Sequence, residues 1–209
     1  MPNLNERRHQ QTRSEIAAAA IGLFAERGFD AVTMEEVAAA AGASRRTVYR
    51  HFPSKDDLMF ERPRSWVQHF DDVVADARPG DSGLDRCVRA LRSVADRIDA
   101  EAESVHAGFQ AYLETPSLRA SRARLDDEMF SRIYALADAD LPDADNKTTN
   151  AAVIAGALVG TLNGVLVAWA AQWPEHSMTE IMDHALEQVR PMLNRQPTSH
   201  RSPGSTARG

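Results

Sequence analysis

The chain is 209 residues long, 43% hydrophobic and 26% charged, a balance that excludes a mini-protein, a collagen-like repeat and a wholly disordered chain. One cysteine, Cys87, excludes an intrachain disulfide and a cysteine-based zinc knuckle, and it fits a reducing compartment. The net charge of −6 argues against nucleic acid when taken whole, but residues 1–64 hold 10 Arg/Lys and 9 Asp/Glu, net +1, and the rest hold 14 and 21, net −7.

From the amino terminus, Met1 to Glu15 is polar and basic without an apolar h-region, so no secretory signal is read and a cytoplasmic location is expected. Ile16, Ala20, Leu23 and Phe24 recur at helical spacing, and Gly28 stands where a left-handed residue would close the turn. This predicts a helix over about Arg13–Arg27. Thr12 with Glu15, Thr33 with Glu36 and Ser54 with Asp57 have capping-box spacing. Thr33 thus opens a short helix that stops at Gly42, and Ser44 caps a second one from Arg45 to about Phe52, ended by Pro53. Two short helices joined by a glycine-containing turn have helix-turn-helix spacing.

Everything downstream reads as helix. One is expected from Lys55 towards Ala77, kinked or split by Pro63. Leu84 to Ile98 form the stripe of the next, and Val105, Phe109, Tyr112 and Leu113 that of a shorter one. Thr115-Pro116 is expected to cap and start another, with Leu118, Leu125, Met129, Ile133 and Leu136 on one face. Ala151 to Trp173 contains no charged residue, and its 23 residues are long enough for a bilayer. The three glycines Gly156, Gly160 and Gly164, the polar Thr161, Asn163 and Gln172, and the lack of a flanking cationic cluster favour a helix buried between a domain core and a partner subunit. A last helix, Met178 to about Leu193, carries Met182, Ala185, Leu186, Val189 and Leu193 on one face. After Arg195 the composition is that of a disordered tail, 196–209.

The second short helix has two unlike faces. Val48 and Phe52 turn inward, leaving Arg45, Arg46, Tyr49 and Arg50 free to enter a major groove. The planar guanidinium matches guanine O6 and N7, which makes Arg45 and Arg46 the base-reading candidates. Tyr49 suits a thymine methyl or a phosphate, and His51 and Lys55 suit phosphate. The alternative, that these arginines are a solvated face, loses weight against the caps and the turn.

Residues 14 to 60, with Phe24, Gly28-Phe29, Thr33, Val37-Ala38, Ala41-Gly42, Ser44, Thr47, Val48-Tyr49, His51-Phe52 and Lys55-Asp56-Asp57-Leu58, closely resemble the amino-terminal domain of TetR-family transcriptional regulators. The resemblance implies an all-α homodimer of about nine helices: a three-helix helix-turn-helix DNA-binding domain (1–60, motif about 33–52) and a helical ligand-binding and dimerisation domain (61–195). It implies backbone contacts from Thr33, Thr47, Tyr49, His51 and Lys55, with Arg45 and Arg46 at base-reading positions. Ser44 and Arg50 complete the expected DNA-binding set. Pro63 departs from the uninterrupted fourth helix of the family, which weakens the usual pendulum motion. The stretch from Leu84 to Trp173 is loosely similar to mycofactocin-type regulators, which implies an acyl-CoA-like effector.

Trp66, Phe70, Phe109, Tyr112, Phe130, Tyr134 and Asn163 are the expected effector contacts, with Trp169 weighed beside them, because such cavities are apolar with a few orienting polar groups. Gly156, Gly160, Gly164, Met182, Leu186 and Val189 are expected at the dimer interface. Cys87 reads as a buried inert thiol. His106, His176 and His184 lack ligand spacing, so no metal or cofactor is expected. No phosphate loop, nucleophile elbow or catalytic dyad is present, and an enzyme is not expected. The expected function is a ligand-responsive, sequence-specific regulator, a repressor of a pseudo-palindromic operator on double-stranded DNA. The alternative is a sequence-independent architectural DNA binder. The effector is a small, largely apolar molecule, and no membrane partner is expected.

Overall fold

The computed structural model describes residues 4–193; the predicted tail, 196–209, lies outside the described residues. They form ten α-helices and no strand among them. The first, α1 (Leu4–Arg27), starts nine residues before the expected Arg13, so Thr12 lies inside it and caps nothing. Glu, Arg and Gln before Arg13 are good helix formers with no glycine or proline to stop them. Being uniformly polar, they leave no periodic signal.

The next two helices, α2 (Met34–Ala40) and α3 (Arg45–His51), begin where the caps place them. The Thr33 hydroxyl accepts from the Glu36 backbone N–H while Thr33 N–H donates to the Glu36 carboxylate at 2.8 Å. That bond from Thr33, with help from Arg27, holds the Glu36 carboxyl at about 2. The Ser44 hydroxyl accepts from Thr47 N–H at 3.1 Å. Gly28 and Gly42 adopt φ of 81° and 61°, left-handed values that side chains with a Cβ rarely take.

The expected helix over Lys55–Ala77 is two helices, α4 (Lys55–Met59) and α5 (Glu61–Ala75), which accounts for ten where about nine were expected. The break falls at Phe60, ahead of Pro63. Phe60 is buried and packs edge-on against Tyr112, with ring centroids 6.2 Å apart. Pro63 is the third residue of α5, where its missing N–H has no intrahelical acceptor to lose.

The remaining helices are α6 (Gly83–Asp99), α7 (Ala102–Leu113), α8 (Arg119–Asp140), α9 (Lys147–Gln172) and α10 (Met178–Leu193). Thr115 does not cap α8. Its hydroxyl donates back to Ala111 O at 2.7 Å, and Pro116–Leu118 form a 3-10 turn ahead of α8. Within this body α9 packs between α8 and α10, and α6 packs on α5, α8 and α10. Its core holds Cys87, Leu91, Ile98, Ile133, Leu158, Trp169 and Met178. Burial pushes the Cys87 thiol up to about 12, as suits an inert group.

Two helix starts in the body are capped from a distance. The Asp140 carboxylate, at the end of α8, accepts from Gly83 N–H and Leu84 N–H at 2.7 Å each. Asp99, at the end of α6, accepts from Met178 N–H at 2.6 Å and Thr179 N–H at 2.9 Å. Gly83 is required by close approach: a Cβ there would stand 2.8 Å from Leu136 O.

The head has its own core, built from Ile16, Ala20, Phe24, Val37, Val48, Phe52 and Leu58. That same cluster includes Ala111, Leu118 and Leu125, which belong to the body.

Candidate nucleic-acid interface and ligand cavity

The amphipathic split predicted for α3 is realised. Val48 and Phe52 are fully buried, while Arg45, Arg46, Tyr49 and Arg50 are exposed together with Ser44. Thr33 is exposed and Thr47 half-buried. Arg45 is not idle: its guanidinium is paired with Glu35 on α2. The pairing occupies one of its nitrogens, Nη2.

Two of the expected phosphate contacts are placed differently. His51 is only 4% exposed, its ring lies 4.2 Å from that of His9, and its Nδ1 has no hydrogen-bond partner among the described residues. Burial, reinforced by the nearby His9, Arg50 and Arg13, lowers its pKa and favours the neutral ring. Lys55 spends its ammonium inside the head, where Nζ donates to Phe29 O at 2.9 Å and Asp30 O at 3.3 Å and lies 4.6 Å from the centre of the Phe29 ring. It closes the loop after α1.

Sequence reasoning also missed Arg13. Its Nη1 donates to His51 O at 2.7 Å, its other nitrogens grip Glu61, and its Cζ sits 4.3 Å above the Phe52 ring. One side chain thereby ties α1 to the end of α3 and the start of α5. In the sequence it stands only at the expected start of the first helix, and its partners lie 38 and 48 positions away.

In the body, two small cavities of about 60 Å³ and 50 Å³ lie on either side of Trp66 and Arg122, which line both. The first is also lined by Phe109 and Tyr112, the second by Phe70. The structure therefore brings four of the seven expected effector contacts together. Phe130 and Tyr134 stack on each other at 6.2 Å and line neither cavity. Asn163 reaches them only through Arg122, whose Nη2 donates to its Oδ1. Trp169 is wholly buried core. Arg122 was not singled out from sequence, because an arginine between Ser121 and Ala123 reads as surface until the fold turns it inward.

The expected dimer residues divide. Gly156, Gly160 and Gly164 lie exposed on one face of α9, flanked by Val153 at 54% and Val167 at 55% exposure. Met182 and Leu186 point the other way, into the body core, at 0% and 4%. The stripe on α10 was real, but it packs on its own subunit. Val189 is half-buried at the rim of an open groove of about 560 Å³ between α9 and α10. The α9 helix is long and apolar enough to cross a bilayer. Its buried side, from Ala151 through Leu158 to Trp169, is already packed in the body core.

A capped helix-turn-helix head with an outward arginine face, joined to an all-helical body, is the arrangement found in the helix-turn-helix class of proteins. Residues 16–61 match the family described as bacterial regulatory proteins, tetR family. Over 139 residues the chain is 32% identical to the HTH-type transcriptional regulator TcmR of Streptomyces glaucescens, covering 63% of this chain and 61% of that protein. It is 44% identical over 52 residues to the putative mycofactocin biosynthesis transcriptional regulator MftR of Mycobacterium tuberculosis, 25% of this chain, too short a match to span Leu84 to Trp173. Among solved structures, NalD, the secondary repressor of the MexAB-OprM multidrug efflux pump in Pseudomonas aeruginosa, shares the fold. Its TM-score is 0.61 at 21% identity, covering 88% of this chain and 95% of that one. Residues 16–61 thus carry the amino-terminal domain of the tetR family, and the chain is similar to regulators of that family beyond it. Its matched stretches span about half to three-fifths of the first curated relatives.

Proposed function

We propose that the chain is a ligand-responsive, sequence-specific repressor, acting in the cytoplasm as a homodimer on a pseudo-palindromic operator. The observation that carries this reading is the outward face of α3, where Arg46, Tyr49 and Arg50 are exposed on a helix fixed by the Ser44 cap and by buried Val48 and Phe52. A two-fold pair would set two such helices roughly 34–36 Å apart, one turn of DNA. The glycine face of α9, continuous with the groove against α10, suits the second copy, because small residues let backbones approach closely.

Effector binding in the body would reach the head along a short path. On α8, Ser121 donates to Asp56 of α4 at 2.5 Å, and Arg124 donates to Ser121 at 2.9 Å. Arg122, at the cavities, is the next residue along. An effector that shifts the start of α8 would change the seat of the head and bias the pair towards a spacing that misfits the operator. This route runs beside the α4–α5 joint and does not need an unbroken lever helix.

A competition gel-shift of genomic fragments against random duplex tests the reading. Arg46→Ala and Arg45→Ala are each expected to weaken operator binding by about 1–3 kcal/mol, the worth of a bidentate hydrogen-bond pair to a base, and to relax sequence preference. Unchanged preference in both variants overturns the recognition assignment. Equal affinity of the wild type for operator and random duplex would favour an architectural DNA binder, whose binding rests on phosphate contacts.

A further inference from the structure

We infer that the effector is an apolar monocarboxylic acid, and that Arg122, assisted by Arg62, holds its carboxylate; this rests on the reading of the body as an effector domain. The larger cavity is walled by Met59, Phe60, Trp66, Phe109, Tyr112 and Leu166, and the charged side chains lining it are Arg62 and Arg122, with no carboxylate among them. A slot that is apolar on its sides and cationic at two points favours an amphipathic anion over a neutral or cationic molecule.

The bonds of the two arginines leave room for such a ligand. Arg122 has a side chain 17% exposed, its Nε donates to Asp126 at 3.1 Å and its Nη2 to Asn163, while its Nη1 makes no hydrogen bond among the described residues. Asp126 and Asn163 thus hold one edge of the guanidinium and present the rest towards the cavities. Arg62 reaches Ser104 at 2.9 Å and Glu101 at 3.2 Å. Glu101 is half exposed to water, so that pairing is weak and a ligand carboxylate can replace it. Arg62 stands on α5, Ser104 on α7 and Arg122 on α8, so one carboxylate would join three helices.

Cavities of about 60 Å³ and 50 Å³ hold a few waters each. Trp66 and Arg122 line both, and the second adds one carboxylate, Asp126, already paired with Arg122 Nε; a turn of the Trp66 ring would merge the two into a slot for an alkyl or aryl chain, with the ligand carboxylate at Arg122.

Calorimetric titration with octanoate, 1-octanol and octylamine tests this, since the three share a chain length and differ in head charge. Octanoate is expected to bind the wild type about tenfold or more tighter than either of the others. Arg122→Met is expected to lower octanoate affinity about tenfold to a hundredfold while leaving 1-octanol unchanged, and Arg122→Lys to recover part of the loss. That loss of selectivity separates an anchoring role from a structural one, because a collapsed cavity would reject the alcohol too. Equal octanoate affinity in wild type and Arg122→Met, no octanoate binding by the wild type, or a preference for 1-octanol or octylamine overturns the inference. Operator preference, read separately by gel-shift, is untouched by those outcomes.

Discussion

Head and body start their helices with the same local caps, but the body adds a second, long-range layer that the head lacks. In the head each cap is local: Thr33, Ser44 and Ser54 each serve a backbone N–H three residues on. In the body, α6 and α10 have local boxes too, Ser82 with Asp85 and Ser177 with Glu180, and add to them carboxylates brought from 57 and 79 residues away on their first N–H groups. Local caps let the helix-turn-helix form its turns from its own sequence. The remote caps tie the start of α6 to the end of α8 and the start of α10 to the end of α6, so these three helices are coupled end to end. The separation is incomplete, because Leu118 fills the head core from the body side.

Leu118→Ala tests that overlap most severely. The side chain is fully buried, and its truncation is expected to destabilise the protein by about 2–5 kcal/mol. Hydrogen exchange should show weaker protection in α1 to α3, although the mutation is far from them in sequence; unchanged protection there would make the head autonomous. Arg13→Ala comes next. It removes a forked ion pair, a hydrogen bond to the carbonyl at the end of α3 and a cation–π interaction, for an expected destabilisation of about 2 kcal/mol by urea denaturation, discounted because the pair is partly exposed. A change close to zero would leave the head held by local caps alone.

The third test is acidity. Burial depresses the His51 pKa in the folded chain, so the unfolded chain binds that proton more readily. Stability present above the ordinary value of 6.5 should therefore be lost as pH falls through it, and His51→Gln should flatten that part of the profile. A profile identical in both proteins would assign the acid sensitivity elsewhere. The smallest effect is expected from Glu35→Ala, which frees Arg45 and removes an anion from the DNA-facing side. Operator affinity should rise about twofold to fivefold at low salt, with stability nearly unchanged because exposed pairs contribute little. A fall in affinity would mean that Glu35 orients Arg45 for reading.

The contrast between local and remote also explains what was legible in the sequence. Caps at Thr33, Ser44 and Ser54, the glycine turns and the inward Val48 and Phe52 are written in neighbouring residues, and each stands where expected. The periodic stripes located α6, α7, α8 and α10, and the uncharged run located α9, but none showed what its helix faced. Met182 and Leu186 looked like a surface for a second copy because an apolar stripe does not name its partner. Phe60 gives no sign in its own neighbourhood of standing between two helices, and the ring it packs on, Tyr112, lies 52 positions on. The long polar side chains were hardest: Lys55, Arg13 and Arg122 all look like surface charge until the carbonyls, carboxylates and cavity they serve are brought to them by the fold.

The sharing of the head core with Ala111, Leu118 and Leu125 has a consequence for anyone recombining such regulators. A chimera cut at residue 60 would seat a foreign head on three side chains chosen for this one, and it would carry the Asp56 position without assurance of a matching Ser121. The transferable unit is discontinuous, the first sixty residues together with the segment from Ala111 to Leu125. A graft that moves both should keep its response to effector, while one that moves the head alone should bind DNA and stay deaf.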